Sequence, residues 1–292
     1  MISPRGSFLL PLPGRPALTL GDRTLVMGVL NVTPDSFSDG GIAFHPALAI
    51  NRALAIEREG ADIIDIGAES TRPGAEPIGA DEEWRRLEPV LESLAGQLRV
   101  PISVDTYRAE TATRALDLGV SIVNDISGLG YDARLGEVVA ARDAALILMH
   151  TRGRSREMYG EARYEHVVRE VISELQRSVE RAIGCGVGLA RIVIDPGFGF
   201  AKKAAHSLAV MASLDAFAAL GRPILSGPSR KSFLTSATGP LPPSERDWVT
   251  AAAVTASVLA GAHIVRVHRV AEMIQVVRFA DALRAAAADM TP

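Results

Sequence analysis

Short aliphatic runs recur along the chain, each followed by a polar or glycine-rich turn and then by a stretch of helical periodicity. The runs are Thr24–Leu30, Asp62–Gly67, Ile102–Val104, Ser121–Val123, Ala145–Met149, Arg191–Ile194, Pro223–Leu225 and His263–Val267. Each is short and apolar throughout rather than alternating, the pattern of a strand buried on both faces. Between them lie amphipathic segments. In Glu161–Ile183, Tyr164, Val167, Val168, Val171, Ile172, Leu175, Val179 and Ile183 form one stripe, with Gly184 as a stop. Asp81–Leu98 carries Trp84, Leu87, Leu91, Leu94 and Leu98 on one face. Further helices fit Pro46–Arg58, Arg108–Leu118, Asp132–Arg142, Ala204–Leu220, Asp247–Leu259 and Val270–Leu283. Strand and helix alternating in this way predict a closed (β/α)8 TIM barrel. An open doubly wound sheet is the alternative, but Asn-Val-Thr-Pro-Asp follows the first strand instead of a G-x-G-x-x-G turn. No linker or composition shift divides residues 21–292, which read as one barrel domain after a short N-terminal extension, 1–20. A first hairpin is expected around Ala17 to Thr24.

Composition narrows the partners. A formal net charge of −3 gives no reason to expect nucleic acid or an anionic membrane surface, so any affinity for anions must come from a few placed cations. The single Cys185 excludes an internal disulfide and suits a reducing compartment. No apolar run is long enough to span a bilayer. Pro11, Pro13 and Pro16 interrupt the apolar patch near the N-terminus, so a secretory signal is not expected and the protein reads as cytoplasmic.

In a barrel the residues just past each strand build the site. Here they are Asn31; Glu69, Ser70, Thr71 and Arg72; Asp105; Asn124 and Asp125; His150; Asp195; Ser229, Arg230 and Lys231; and Arg266 with His268. Any one of these could be a turn former or helix cap, and Asp125 and Asp132 are better explained that way. A polar group at every strand end is harder to dismiss. Lys231, Arg266 and His268 come from the last two strands, where barrels often hold phosphate, and suit a di- or triphosphate. Asp105, Asn124 and Asp195 offer acceptors matched to the amino and ring N–H edge of a flat heterocycle. The histidines lack H-E-x-x-H spacing, GPSRKS (Gly227–Ser232) lacks P-loop spacing, and no G-x-S-x-G elbow occurs. A Schiff-base role for Lys231 and an electrostatic one both remain open.

NVTPDSFSDGG (Asn31–Gly41), DIGAESTRPG (Asp65–Gly74), SVDT (Ser103–Thr106), NDISG (Asn124–Gly128), DPGFGF (Asp195–Phe200), SRKS (Ser229–Ser232) and RVH (Arg266–His268) resemble, in order, the signatures of dihydropteroate synthase. The likeness covers nearly the whole chain after the first twenty residues. It implies condensation of 6-hydroxymethyl-7,8-dihydropterin diphosphate with p-aminobenzoate in a homodimeric, Mg2+-dependent transferase. By the same resemblance Asp105, Asn124, Asp195 and Lys231 would read the pterin. Arg266 and His268, with Asn31, would hold the diphosphate, and Asn31 would ligate Mg2+. Thr71, also grouped with the pterin diphosphate site, would lie with Arg72 and Pro73 near p-aminobenzoate, in a pocket lined by Phe37, Phe200 and Ser232. Asp35 would arrive on the first loop as a cation stabiliser or proton acceptor. Four positions depart from the family pattern: Ala201 for Gly, Lys203 for Thr, Ser207 for Asn and Arg269 for Asp. Two rival readings stay in view: the folate-binding barrel of a corrinoid methyltransferase, and a non-catalytic pterin-binding paralogue.

Overall fold

The computed structural model describes residues 2–33, 45–70, 75–154, 158 and 160–288. The strands of its main sheet are β3 (Leu25–Asn31), β4 (Ile63–Gly67), β5 (Ile102–Asp105), β6 (Ile122–Asp125), β7 (Ala145–Met149), β8 (Ile192–Asp195), β9 (Leu225–Ser226) and β10 (Ile264–Val267). They pair in parallel in the order β8-β7-β6-β5-β4-β3-β10-β9. A parallel bridge between Ile194 and Ile224 brings β8 back to β9 and closes the barrel. The α-helices are α1 (Pro46–Arg58), α2 (Ala80–Leu94), α3 (Ala109–Asp117), α4 (Leu135–Ala141), α5 (Val167–Gly184), α6 (Ala204–Ala212), α7 (Asp247–Leu259) and α8 (Val270–Ala288). Their apolar faces and the outward residues of the strands form one annular core that includes Val26, Ile64, Ile66, Val104, Leu146, Ile194 and Val265. The (β/α)8 expectation holds. No described helix is long and apolar enough to cross a membrane.

The N-terminal hairpin lies earlier than expected: β1 (Phe8–Leu12) pairs with β2 (Arg15–Leu20). Pro13–Gly14 makes its turn, because proline fixes one central φ and Gly14 supplies the other at +63°. The hairpin plugs the barrel. Leu10, Leu12 and Leu20 enter a second core with Met27, Ile63, Ile122, Ile147, Val193 and Ile264, at the ends where the strands begin. Arg5 donates to the carbonyls of Gly21 and Ala262 and pairs with Asp281 of α8, and Arg284 reaches the Ser3 carbonyl. The bottom is therefore sealed, and the carboxyl ends of the strands are left for chemistry.

Three helix boundaries shift for identifiable reasons. Helix α5 starts at Val167 rather than near Glu161, because Glu170 reaches back to accept the N–H groups of Glu165 and His166. Tyr164 then leaves the stripe and donates to the Ala201 carbonyl. Helix α4 starts at Leu135, because Asp132 accepts N–H groups from Ala109 and Arg134 in the turn role expected of it. After α6 the chain tightens into a 3-10 turn, Leu214–Leu220, which puts Leu214 and Phe217 on one buried side.

Candidate active site

The strand ends converge on a cavity lined by Asp105, Asn124, Asp195, Lys231 and Arg266, with Phe200, Phe198, Ile126 and Met149 as its apolar wall. Each polar member is delivered by a different short strand or the turn after it, so the parallel register fixes their mutual height. Asp105 pairs across with Asn124, and Met149 with Asp195.

At the centre stands a residue absent from the sequence-derived site. Asp65, in the middle of β4, is fully buried. Its Oδ2 accepts Arg266 Nε at 2.6 Å and Asn124 Nδ2 at 3.1 Å. Arg266 Nη2 donates to Asp105 Oδ2 at 2.8 Å, so one guanidinium bridges two carboxylates. A charged residue inside the run Ile63-Ile64-Asp65-Ile66 was the signal available for finding it, since an isolated charge in a buried strand must be paired. Burial, reinforced by Asp65 and Glu83, pushes the Asp105 carboxyl up against the pull of Arg266.

Lys231 lies with the acceptors rather than beside His268. Its Nζ stands 3.8 Å from the Phe200 ring centroid, and its charge is felt by both Asp195 and Asp105. Desolvation and the neighbouring Arg266 bring its amine down to about 8. Asp195 is pushed up by burial, while the Gly197 N–H at 2.8 Å, Lys231, Lys202 and Arg266 pull it back. Gly197 can only be glycine: its φ is +70°, and a Cβ there would meet the His150 carbonyl oxygen at 2.1 Å.

His268 borders a separate polar recess with Arg52, Arg230 and Arg269. Ser229 Oγ accepts the His268 backbone N–H and lies 2.9 Å from Nδ1. The hydroxyl can thus donate to Nδ1 and leave the ring proton on Nε2. Asn31 ends β3, paired with Gly67. Ser232 is exposed at the start of the turn after Lys231. Asp35, Phe37, Thr71, Arg72 and Pro73 lie outside the described residues.

Other ring members do structural work. Asp125 accepts Ser127 and Leu129 N–H groups, as a turn former should. Glu69 takes Tyr107, Arg108 and the Ile78 N–H, tying the chain after β4 to the stretch before α2 and to that before α3. His150 is turned onto Lys202 and Glu174.

The pterin binding enzyme family matches residues 27–268. A dihydropteroate synthase from Synechocystis is 43% identical over 274 residues, 94% of this chain and 95% of that one. The chain belongs to the dihydropteroate synthase family. Among solved members, the Xanthomonas albilineans dihydropteroate synthase with 4-aminobenzoic acid superposes with a TM-score of 0.89 at 38% identity, covering 96% of this chain and 99% of that one. The same organism's enzyme in complex with 7,8-dihydropteroate gives 0.84 at 36% identity, covering 94% and 99%.

Two departures from the dihydropteroate synthase pattern now have a structural meaning. Ser207, expected to be an ordinary helix-start residue, is fully buried and accepts the Gly199 N–H at 3.0 Å. Ala201 takes the backbone conformation that glycine would, with φ +47°, and packs with Phe200, Met149 and Met158. The left-handed conformation costs an alanine roughly 1–2 kcal/mol. Burying its methyl returns about 0.8 kcal/mol, and avoiding glycine's unfolded-state entropy about 0.5–1 kcal/mol. These effects nearly cancel. Ala201→Gly should therefore shift the denaturation midpoint by no more than a few degrees in a thermal melt. Arg269 is held by Glu272, with which it makes a surface ion pair.

Proposed function

We propose that the enzyme seats 6-hydroxymethyl-7,8-dihydropterin diphosphate with its ring in this cavity and transfers the pterinyl methylene to p-aminobenzoate. The observation carrying this reading is the convergence of Asp195, Asn124, Asp105 and Lys231 on one cavity. Carboxylates, an amide and an ammonium around one cavity match the mixed donor and acceptor edge of a reduced pterin. Phe200 and the other apolar wall residues cover the ring face and keep water from the reacting carbon. The methylene C–O bond breaks with its electron pair going to diphosphate. The aniline nitrogen bonds to the carbon and then loses its proton. Arg266 and His268 stabilise the oxygens where charge develops. The aniline needs alignment more than a strong base, so no dedicated base is assigned.

Mg2+ fits this arrangement as an ion carried on the diphosphate. No group of three His, Cys, Asp or Glu side chains among the described residues could hold a metal. Mg2+ commonly takes one or two protein oxygens, keeps waters, and uses substrate phosphates for the rest. The Asn31 side-chain oxygen would supply a protein ligand at the end of β3, and the ion would neutralise charge on the leaving group.

The test is diphosphate release on mixing both substrates with Mg2+. Release that requires p-aminobenzoate supports the synthase; pterin binding without release supports the non-catalytic paralogue. Lys231 adds a pH signature. Because its amine is held near 8, kcat/KM is expected to fall on the alkaline side with an apparent pKa of about 8. Lys231→Arg, whose charge cannot be titrated away, should lose that limb in a pH–rate profile.

We also propose a homodimer. Trp248 on α7 is 88% exposed and Phe279 on α8 is 67% exposed, and these two helices pack together. Sedimentation velocity should give twice the chain mass. A cytoplasmic location is in keeping with the free Cys185.

A further inference from the structure

Behind Asp195, a second cluster of titratable groups is buried outside the cavity. Lys202 is 1% exposed. Its Nζ donates to the carbonyls of Gly197 and Phe200, each at 3.1 Å, and lies 2.8 Å from His150 Nδ1. The His150 carbonyl lies 3.4 Å away as well, so four acceptors surround the three N–H bonds of an ammonium. His150 Nε2 faces Glu174 Oε2 at 2.9 Å. A carboxylate can only accept, so the imidazole carries its proton on Nε2 and offers its Nδ1 lone pair to Lys202. Arg152 completes the set by pairing with Glu174 and Glu170.

We infer that Lys202 is a positioning residue that sets the turn from Gly197 to Phe200 and keeps Asp195 ionised for the pterin. This inference rests on the assignment of the pterin to the cavity. Three observations converge on it. The two carbonyls it binds flank the turn between Gly197 and Phe200. The N–H of Gly197 is what holds Asp195 Oδ1, and the Phe200 ring lies under Lys231. The ammonium is thus attached to both ends of the segment that shapes the cavity wall. Moreover, a buried ammonium is costly and is kept only where opposing charge and donor-matched acceptors offset its desolvation. The charges facing it are Asp195 and Glu174, opposed by Arg152 and Lys231, while Asp195 itself faces Lys231, Lys202 and Arg266. Burial brings the Lys202 amine down to about 7 and His150 to about 4, so the imidazole is neutral near pH 7 and Lys202 gains its full charge as the pH falls below 7, on the side where Asp195 titrates.

The test compares Lys202→Gln and Lys202→Met with the wild-type full chain. Loosening of the turn that places Asp195 and Phe200, once the hydrogen bonds of the ammonium are gone, predicts a rise of about tenfold in KM for the pterin diphosphate in Lys202→Met. A smaller rise is expected in Lys202→Gln, whose amide still donates to the two carbonyls. Both variants lose the positive charge, so the acid limb of kcat/KM should move up by roughly half a unit to one unit as Asp195 becomes easier to protonate. Wild-type KM and an unmoved acid limb, with only the melting temperature lowered, would reduce Lys202 to a packing residue and overturn the inference. If Lys202→Met does not fold, Glu174→Leu serves as the second variant. It lets the imidazole proton move to Nδ1, against the ammonium, and should raise the same KM several-fold; an unchanged KM there also overturns the inference. Wild-type diphosphate release tests the cavity assignment separately, because the Lys202 effect is read as a ratio to the wild type.

Discussion

Asp65→Ala should lose both stability and turnover, although Asp65 does not line the cavity. Removing this carboxylate leaves the Arg266 guanidinium with Asp105 alone and takes the acceptor from Asn124. Breaking a buried ion pair from one side costs about 3–5 kcal/mol, because the remaining charge stays buried without its partner. Arg266 and Asn124 would also be free to rotate out of the geometry that reads the substrate. Asp65→Asn keeps an oxygen for Arg266 but not the charge, so it should fall between wild type and alanine in both properties. Urea denaturation and kcat/KM together provide the check. Wild-type stability in Asp65→Ala would mean that Arg266 is held by something other than this pair.

Lys231→Met should separate the two properties. A charge-assisted contact to the substrate is worth about 1.5–3 kcal/mol, so kcat/KM should fall by about one to two orders of magnitude, or further if the cation also aids departure of the diphosphate. Stability should not fall with it. The fold holds this amine near 8 against an ordinary value of 10.5, which means that the native state disfavours the charge it carries at neutral pH. The native state therefore binds fewer protons than the unfolded chain between about 8 and 10.5, and stability rises with pH across that window. Lys202, held near 7, contributes a rise of the same sign beginning lower. In Lys231→Met the melting temperature at pH 7 should match or exceed wild type, and the rise above pH 8 should shrink. A melting temperature several degrees below wild type would assign Lys231 a structural role.

The barrel was legible because eight buried parallel strands need short, fully apolar runs, and those runs are hard to mistake. Helix Pro46–Arg58 was predicted to the residue, since a proline starts it and the periodicity is unbroken. The start of α5 was not, because Glu170 caps the helix from inside it and the apolar stripe continues past the true beginning through Tyr164. Strand ends pointed to Asp105, Asn124, Asp195, Lys231 and Arg266, which the structure brings to one cavity. Sorting cations from carboxylates by strand number did not anticipate their arrangement. Lys231 and Arg266 sit among the acidic groups, because opposite charges buried in one mouth lower their energy by pairing. Asp65 and Lys202 were missed for a common reason. Both act on the substrate only through another side chain or a backbone carbonyl, and strand-end position does not reveal such contacts.

The plug at the foot of the barrel also governs when the molecule can be completed. Arg5 is fastened to Asp281, and Ser3 to Arg284, so the segment before β1 is locked by α8, which is made much later. Contacts spanning nearly the whole chain form late, after the long loop between them has closed. During synthesis the hairpin cannot be fastened in this way until α8 has left the ribosome, and Leu10, Leu12 and Leu20 lack their full shelter until β10 supplies Ile264. A nascent chain stalled before β10 would therefore expose the apolar face of the hairpin to chaperones, and α8, through Asp281 and Arg284, acts as the latch that then fixes it.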